Sequence, residues 1–164
     1  MVDLTLYYLL QTIITCRQLY DPIFTECKKW RGAVVYECND SRARRYLEKA
    51  AALAEWYLES TGNVSIALVI YNKSGEPQEK WSFDCHKASE FDAKAFQAVT
   101  NQIVAAAGYL QPLDESFKFK VLATVPAELN LAQFNLRLSR DALPEVSPLK
   151  LTQIPGISTI FYGI

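Results

Sequence analysis

The sequence predicts an α+β fold in which a mostly antiparallel sheet packs on three helices, and three observations carry that prediction. Segments whose apolar residues recur every three or four positions alternate with segments that alternate in twos, the periods of helix and strand. Two strand-like runs flank the turn-rich stretch "NKSGEPQ", which reads as an antiparallel hairpin. The chain closes on "IPGISTIFYGI", an apolar, β-forming run with no charged residue after Lys150. Such a run left unpaired at an edge would invite aggregation, which raises the question of what this last strand pairs with.

At 164 residues the chain is read as one domain, with enough apolar sequence (50%) to bury a core and an ordinary charged share (21%). A formal net charge of -1 argues against a nucleic-acid-binding surface spread over the whole molecule. The local cluster "SRARRYLEK" reads as the solvated face of a helix.

Residues 4–18 are apolar nearly all round, with Asp3 as N-cap, which predicts a buried first helix. Asp3 stands where a signal sequence would carry basic residues, and the apolar run is too short to span a bilayer, so neither secretion nor a membrane is expected. "LYDPIFTECKKW" reads as a loop with a helical turn, and "GAVVYEC" as a short strand. Asp40 and Ser41 cap a second helix over 41–60 that buries Leu47, Ala50, Ala51, Ala54 and Leu58 and ends at Gly62. "NVSIALVIYN" is apolar on both faces, as a central strand would be. In "EKWSFDC", Trp81, Phe83 and Cys85 share one face. A capping box from Ser89 to Asp92 starts a third helix that buries Phe96, Val99, Ile103, Ala106 and Leu110. "QPLDE" breaks it, and "SFKFKVLATV" alternates again, with Phe117, Phe119 and Val121 on one face. From Pro126 to Lys150 the pattern loosens, yet Leu129, Leu131, Phe134, Leu136 and Leu138 give it too many apolar groups for disorder.

The chemistry of catalysis is not legible. The only histidine, His86, adjoins Cys85 on a predicted strand, so the two side chains point to opposite faces and can share neither a metal nor a proton. Cys16, Cys27, Cys38 and Cys85 form no CxxC pair and read as reduced structural thiols. Glu26, Glu37, Asp84 and Asp92 are scattered and read as surface carboxylates, and no phosphate-binding, nucleophile-elbow or metalloprotease motif occurs. A non-enzyme without metal or cofactor is expected.

The order of elements and several motifs resemble the HORMA domain along nearly the whole chain. "YYLLQTIITCRQLYDPIF" resembles the family's first helix and the Tyr-Pro-x-x-Phe-type loop after it, with Asp21 intruding before Pro22. "ALVIYNKSGEPQEKWSF" is the most specific stretch. Its Pro77, Glu79, Lys80, Trp81 and Phe83 resemble the hairpin of the HORMA accessory subunit of translesion DNA polymerase zeta, as does "PLK" at 148–150. "SGE", "WSFD" and "NQIVAAAGYLQPLDE" look equally like the spindle-checkpoint HORMA protein. The resemblance implies one HORMA domain over 1–164, with a core over 1–125 and a C-terminal seatbelt and final strand over 126–164.

That family traps an extended peptide of a partner protein by β-augmentation, under a seatbelt that can change position on the sheet and slows release. The resemblance therefore implies an adaptor: a non-catalytic subunit of a translesion polymerase or DNA-repair complex, or alternatively a checkpoint adaptor for checkpoint and anaphase-regulator peptides. An AAA+ remodelling ATPase is a candidate further partner. No direct nucleic-acid or membrane partner is expected, and the location implied is nuclear and cytoplasmic. The peptide is expected to pair with Phe117–Thr124, contacting Phe117, Phe119, Val121 and Ala123. Tyr20 and Tyr46 match the family's peptide-contacting tyrosines. A seatbelt tryptophan used by the family is absent here, and Phe134 and Leu136 in "FNLRL" are the substitutes. The third helix carries no arginine in "AVTNQIVAAAG", where family dimers often rely on one, so the usual homodimer is not implied; the seatbelt is also shorter than is typical of the family, so full wrapping of a peptide is not implied either.

Overall fold

A computed structural model describes residues 3–87, 90–124, 148–150 and 157–163. Helix α1 (Asp3–Cys16) runs through the centre of the core, with Leu6, Leu9, Leu10, Ile13 and Ile14 buried. Full burial of one such side chain is worth about 1.5–3 kcal/mol, so this helix is held by packing on every side. It stops two residues before the expected Gln18, because Gln18 has a left-handed backbone (φ 51). Arg17 is thereby turned inward. Its guanidinium pairs with Glu79 (Nη2 to Oε1 2.5 Å, Nε to Oε2 3.0 Å) and donates from Nη2 to the Gln111 carbonyl at 2.7 Å.

After a one-turn 3₁₀ helix at Pro22–Phe24, the chain forms strand β1 (Thr25–Trp30), where a loop was expected. β1 pairs with β2 (Ala33–Cys38) from Thr25↔Cys38 to Trp30↔Ala33. The two-residue turn between them has positive φ at Arg31 (48) and Gly32 (87), the twist that suits a tight hairpin. Glu37 on β2 is also a correction, since it is buried rather than at the surface. Tyr7 Oη donates to it at 2.6 Å, Lys28 pairs with it, and Arg44 lies at 3.5 Å.

Helix α2 (Ser41–Thr61) starts on Asp40, whose side chain accepts from the N–H groups of Arg42 and Ala43, and ends on Gly62 at φ 84. Leu47, Ala51, Ala54 and Leu58 are buried as their spacing predicts. Strand β3 (Asn63–Tyr71) and strand β4 (Pro77–His86) form the expected hairpin, with Trp81, Phe83 and Cys85 buried and His86 exposed. Helix α3 (Ala93–Gly108) begins later than the capping box implied. Asp92 is its N-cap, accepting from Lys94 and Ala95 N–H, while Ser89 lies outside the described residues. Strand β5 (Lys118–Thr124) pairs antiparallel with β3. Two C-terminal strands, β6 (Pro148–Lys150) and β7 (Ile157–Gly163), complete a five-stranded sheet of order β5-β3-β4-β7-β6. β3 lies inside the sheet, between β5 and β4, as its apolar faces implied. β7 pairs with β4 from Cys85↔Ile157 to Glu79↔Gly163, which answers where the apolar C-terminal run goes.

The run Pro77, Glu79, Lys80, Trp81 and Phe83 lies on β4, two strands from the β5 edge. Glu79, Trp81 and Phe83 are buried, and Trp81 Nε1 donates to the Glu79 carboxylate at 3.3 Å. Those residues build the core that holds the hairpin to α1 and α3.

Candidate functional site

The outer side of β5 is unpaired among the described residues, and the expected site residues converge there. Backbone groups alternate sides along a strand. The Val121 N–H donates to Tyr46 Oη at 2.8 Å rather than to β3, so Phe119, Val121 and Ala123 all direct their backbone groups outward. The same three side chains lie partly buried on the core, while Lys118 and Lys120 are exposed.

Tyr46 reaches this edge from the second turn of α2. Its ring stands edge-on to Phe119 at a centroid distance of 5.7 Å and remains 39% exposed. Tyr20, from the turn after α1, approaches the same Phe119 at 6.3 Å. Burial pushes the Tyr46 hydroxyl above the ordinary tyrosine range, against the pull of the Val121 N–H, and burial likewise raises Tyr20. Both therefore keep their protons near neutral pH. Tyr46 accepts from the edge with one lone pair and still has an O–H to donate, so it extends the ladder by one group.

Beside this hydroxyl lies an apolar pocket of about 70 Å³, lined by Tyr46, Lys49, Ala50, Leu53, Ile66, Val121 and Ala123. A water needs about 10–15 Å³ of such space, so there is room for a small aliphatic side chain. Lys49, Ala50, Leu53 and Ile66 are the lining residues that motif reasoning missed. The signal was present in α2, where 46, 49, 50 and 53 recur on one face at spacings of three and four. The structure thus brings Tyr20, Tyr46, Phe119, Val121 and Ala123 together. Phe117 falls just outside β5, its N–H donating to the Asp114 carbonyl at 3.3 Å, which removes it from the expected ladder. Phe134 and Leu136 lie outside the described residues.

No group of three or more His, Cys, Asp or Glu residues among the described residues could hold a metal ion. No described helix is long and apolar enough to cross a membrane. Burial raises the thiol of Cys16 to about 11 and that of Cys85 to about 12, so neither is a nucleophile at neutral pH. What the edge offers is a row of backbone donors and acceptors, two aromatic walls and one apolar hole, the groups that bind an extended peptide.

No protein-family model matches the sequence, and no curated protein matches it. Solved structures do match the fold. A chain in the crystal structure of the mitotic checkpoint complex superimposes with a TM-score of 0.80 at 20% identity, covering 99% of this chain and 97% of that one. C. elegans HTP-2 bound to HTP-3 closure motif 1 gives 0.75 at 10% identity, covering 99% and 84%. C. elegans HTP-2 bound to the HIM-3 closure motif gives 0.74 at 10%, covering 99% and 88%. The fold is α+β, with three helices and antiparallel sheets, and matches these HORMA-domain structures.

Proposed function

We propose that this chain is a non-catalytic adaptor of the HORMA family that takes an extended segment of a partner protein onto the outer edge of β5. The observation that carries the proposal is the Val121 N–H, which faces away from β3 and, among the described residues, is met by a tyrosine hydroxyl beside an apolar pocket. The HTP-2 structures, whose fold this chain shares, hold closure motifs, which supports the same use here. In this reading residues 126–164 form the seatbelt, and Phe134 and Leu136 close over the docked segment. Each ladder hydrogen bond gains only about 0.5–1.5 kcal/mol net, so the covering segment and the pocket supply the rest through slow release.

Within that class we read the partner as the catalytic subunit of a translesion polymerase or another DNA-repair protein, in the nucleus and cytoplasm, with an AAA+ ATPase as a candidate remodeller. The polymerase-subunit-like run at Pro77–Phe83 supports this reading. The likeness to a chain of the mitotic checkpoint complex favours the second reading, an adaptor for checkpoint peptides. Capture from native extract and mapping of the retained segment separates the two.

The test of docking is Val121→Pro. The lost N–H points away from β3, and proline is tolerated on an edge strand whose N–H side faces out. Circular dichroism should show a folded protein, and affinity for a captured segment should fall about two- to tenfold, the loss of roughly one ladder hydrogen bond. A folded variant that binds normally would take the β5 edge out of the site.

A further inference from the structure

We infer that the β5 edge selects extended segments that carry Asp or Glu beside a small aliphatic residue; this rests on the docking reading above. The face of α2 that lines the edge carries Arg42, Arg45 and Lys49 among Tyr46 and Leu53, spaced so that all five share one side of the helix. The three cations are exposed, and Lys49 is itself part of the pocket wall. The ion pairs among the described residues engage Arg17, Lys28 and Arg44 instead.

The acidic residues of α2, Glu48, Glu55 and Glu59, fall on its other faces by the same helical spacing. Asp40, the nearest carboxylate in sequence, is held by the helix N-terminus it caps. On the opposite flank, Lys118 and Lys120 are exposed on β5, out of phase with Phe119 and Val121, and Lys120 Nζ stands 5.4 Å from the Tyr71 ring. A strand laid on this edge would therefore run between two rows of cations, on a protein whose formal net charge is -1. The spacing also suits a strand: a four-residue helical step is about 6 Å and a two-residue strand step about 6.8 Å. When one aliphatic side chain fills the pocket beside Lys49, the residue two positions along the strand toward the start of α2 comes beside Arg45. An open ladder and an apolar hole between the cations fit a peptide rather than a nucleic-acid backbone.

The test is selection of random 16-residue peptides displayed against the full chain, followed by titration of synthetic winners. Selected peptides should be enriched in Asp or Glu at positions two residues from a Val, Ala or Leu. Replacing those carboxylates by amides should weaken binding about tenfold, and raising salt from about 50 to 300 mM should do the same to the acidic version alone. The exposed triple variant Arg42→Gln/Arg45→Gln/Lys49→Gln should fold normally and bind acidic and amide peptides alike. Peptides that bind and are lost in Val121→Pro, yet show no acidic preference, would sink this inference and leave the adaptor reading standing. Failure to select any peptide sensitive to Val121→Pro would overturn both. Equal competition by a short single-stranded oligonucleotide would reduce the cations to a general anion patch and overturn the inference.

Discussion

Replacing Arg17 by Met should destabilise the protein by about 3–5 kcal/mol, because it strands a buried carboxylate. The side chains of Arg17 and Glu79 are only 4% and 7% exposed. Arg17 holds both carboxylate oxygens and also reaches the Gln111 carbonyl beyond α3, so it ties α1, β4 and the end of α3 together. Without it, the donor left to Glu79 among the described residues is the Trp81 indole N–H at 3.3 Å, a long one for a buried charge. The thioether of Met fills much of the volume but donates nothing. In the double variant Arg17→Met/Glu79→Leu no charge is left behind, and apolar replacement of a whole buried pair is often neutral or stabilising. Urea melts followed by far-ultraviolet circular dichroism would measure both variants, with unchanged m-values showing that the same surface is exposed on unfolding. A single variant that loses less than about 1 kcal/mol, or a double variant no more stable than the single, would refute the account of Glu79 as a carboxylate dependent on Arg17.

Two further outcomes follow from the geometry. Tyr46→Phe should lower stability by only about 0.5 kcal/mol, since water can replace the hydroxyl at an open edge, whereas Tyr46→Ala should cost about 1–3 kcal/mol of peptide affinity. A large loss in the urea melt with unchanged affinity per folded molecule would place the ring in the core instead. Burial alone would raise the Glu37 carboxyl, but Lys28 and the Tyr7 hydroxyl outweigh it and hold it below its ordinary 4.5. The folded state therefore binds fewer protons, so the Glu37 contribution is complete above pH 4.5 and is lost as pH falls through the lower folded-state value. Glu37→Gln should flatten the acid limb of the stability profile measured by urea melts, and an unchanged limb would count against the network.

Much of this architecture was legible because local signals and packing agree. Asp40 and Gly62 bracket α2 by cap chemistry, and Trp81, Phe83 and Cys85 announce the buried face of β4 by strict alternation. β1 escaped notice for a physical reason. Among the described residues it is paired with β2 alone, and its four interior residues Glu26, Cys27, Lys28 and Lys29 are all exposed, so no buried face imprints a period on "TECKKW". Its hairpin turn was hidden as well, because Arg31 occupies a left-handed position usually signalled by Asn or Asp. Glu37 was misread because a buried carboxylate looks like a surface one until its partners from α1, β1 and α2 are in place. At the site, Tyr20 and Tyr46 came from the HORMA resemblance. The pocket depends on how α2 lies along β5, a tertiary relation that a linear pattern does not state.

The pairing of β7 with β4 has a kinetic consequence. The β1–β2 and β3–β4 hairpins join near neighbours and can close in microseconds. Cys85 and Ile157, by contrast, meet across a long stretch of chain, and contacts of such separation form late. Until they form, β4 is the sheet's bare margin, already shaped to receive an antiparallel strand. The corresponding strand of a second copy has the same register and the same complementarity, so it competes for that margin in proportion to protein concentration. Dilute refolding favours closure within one chain, and crowded refolding favours reciprocal exchange of the C-terminal strands.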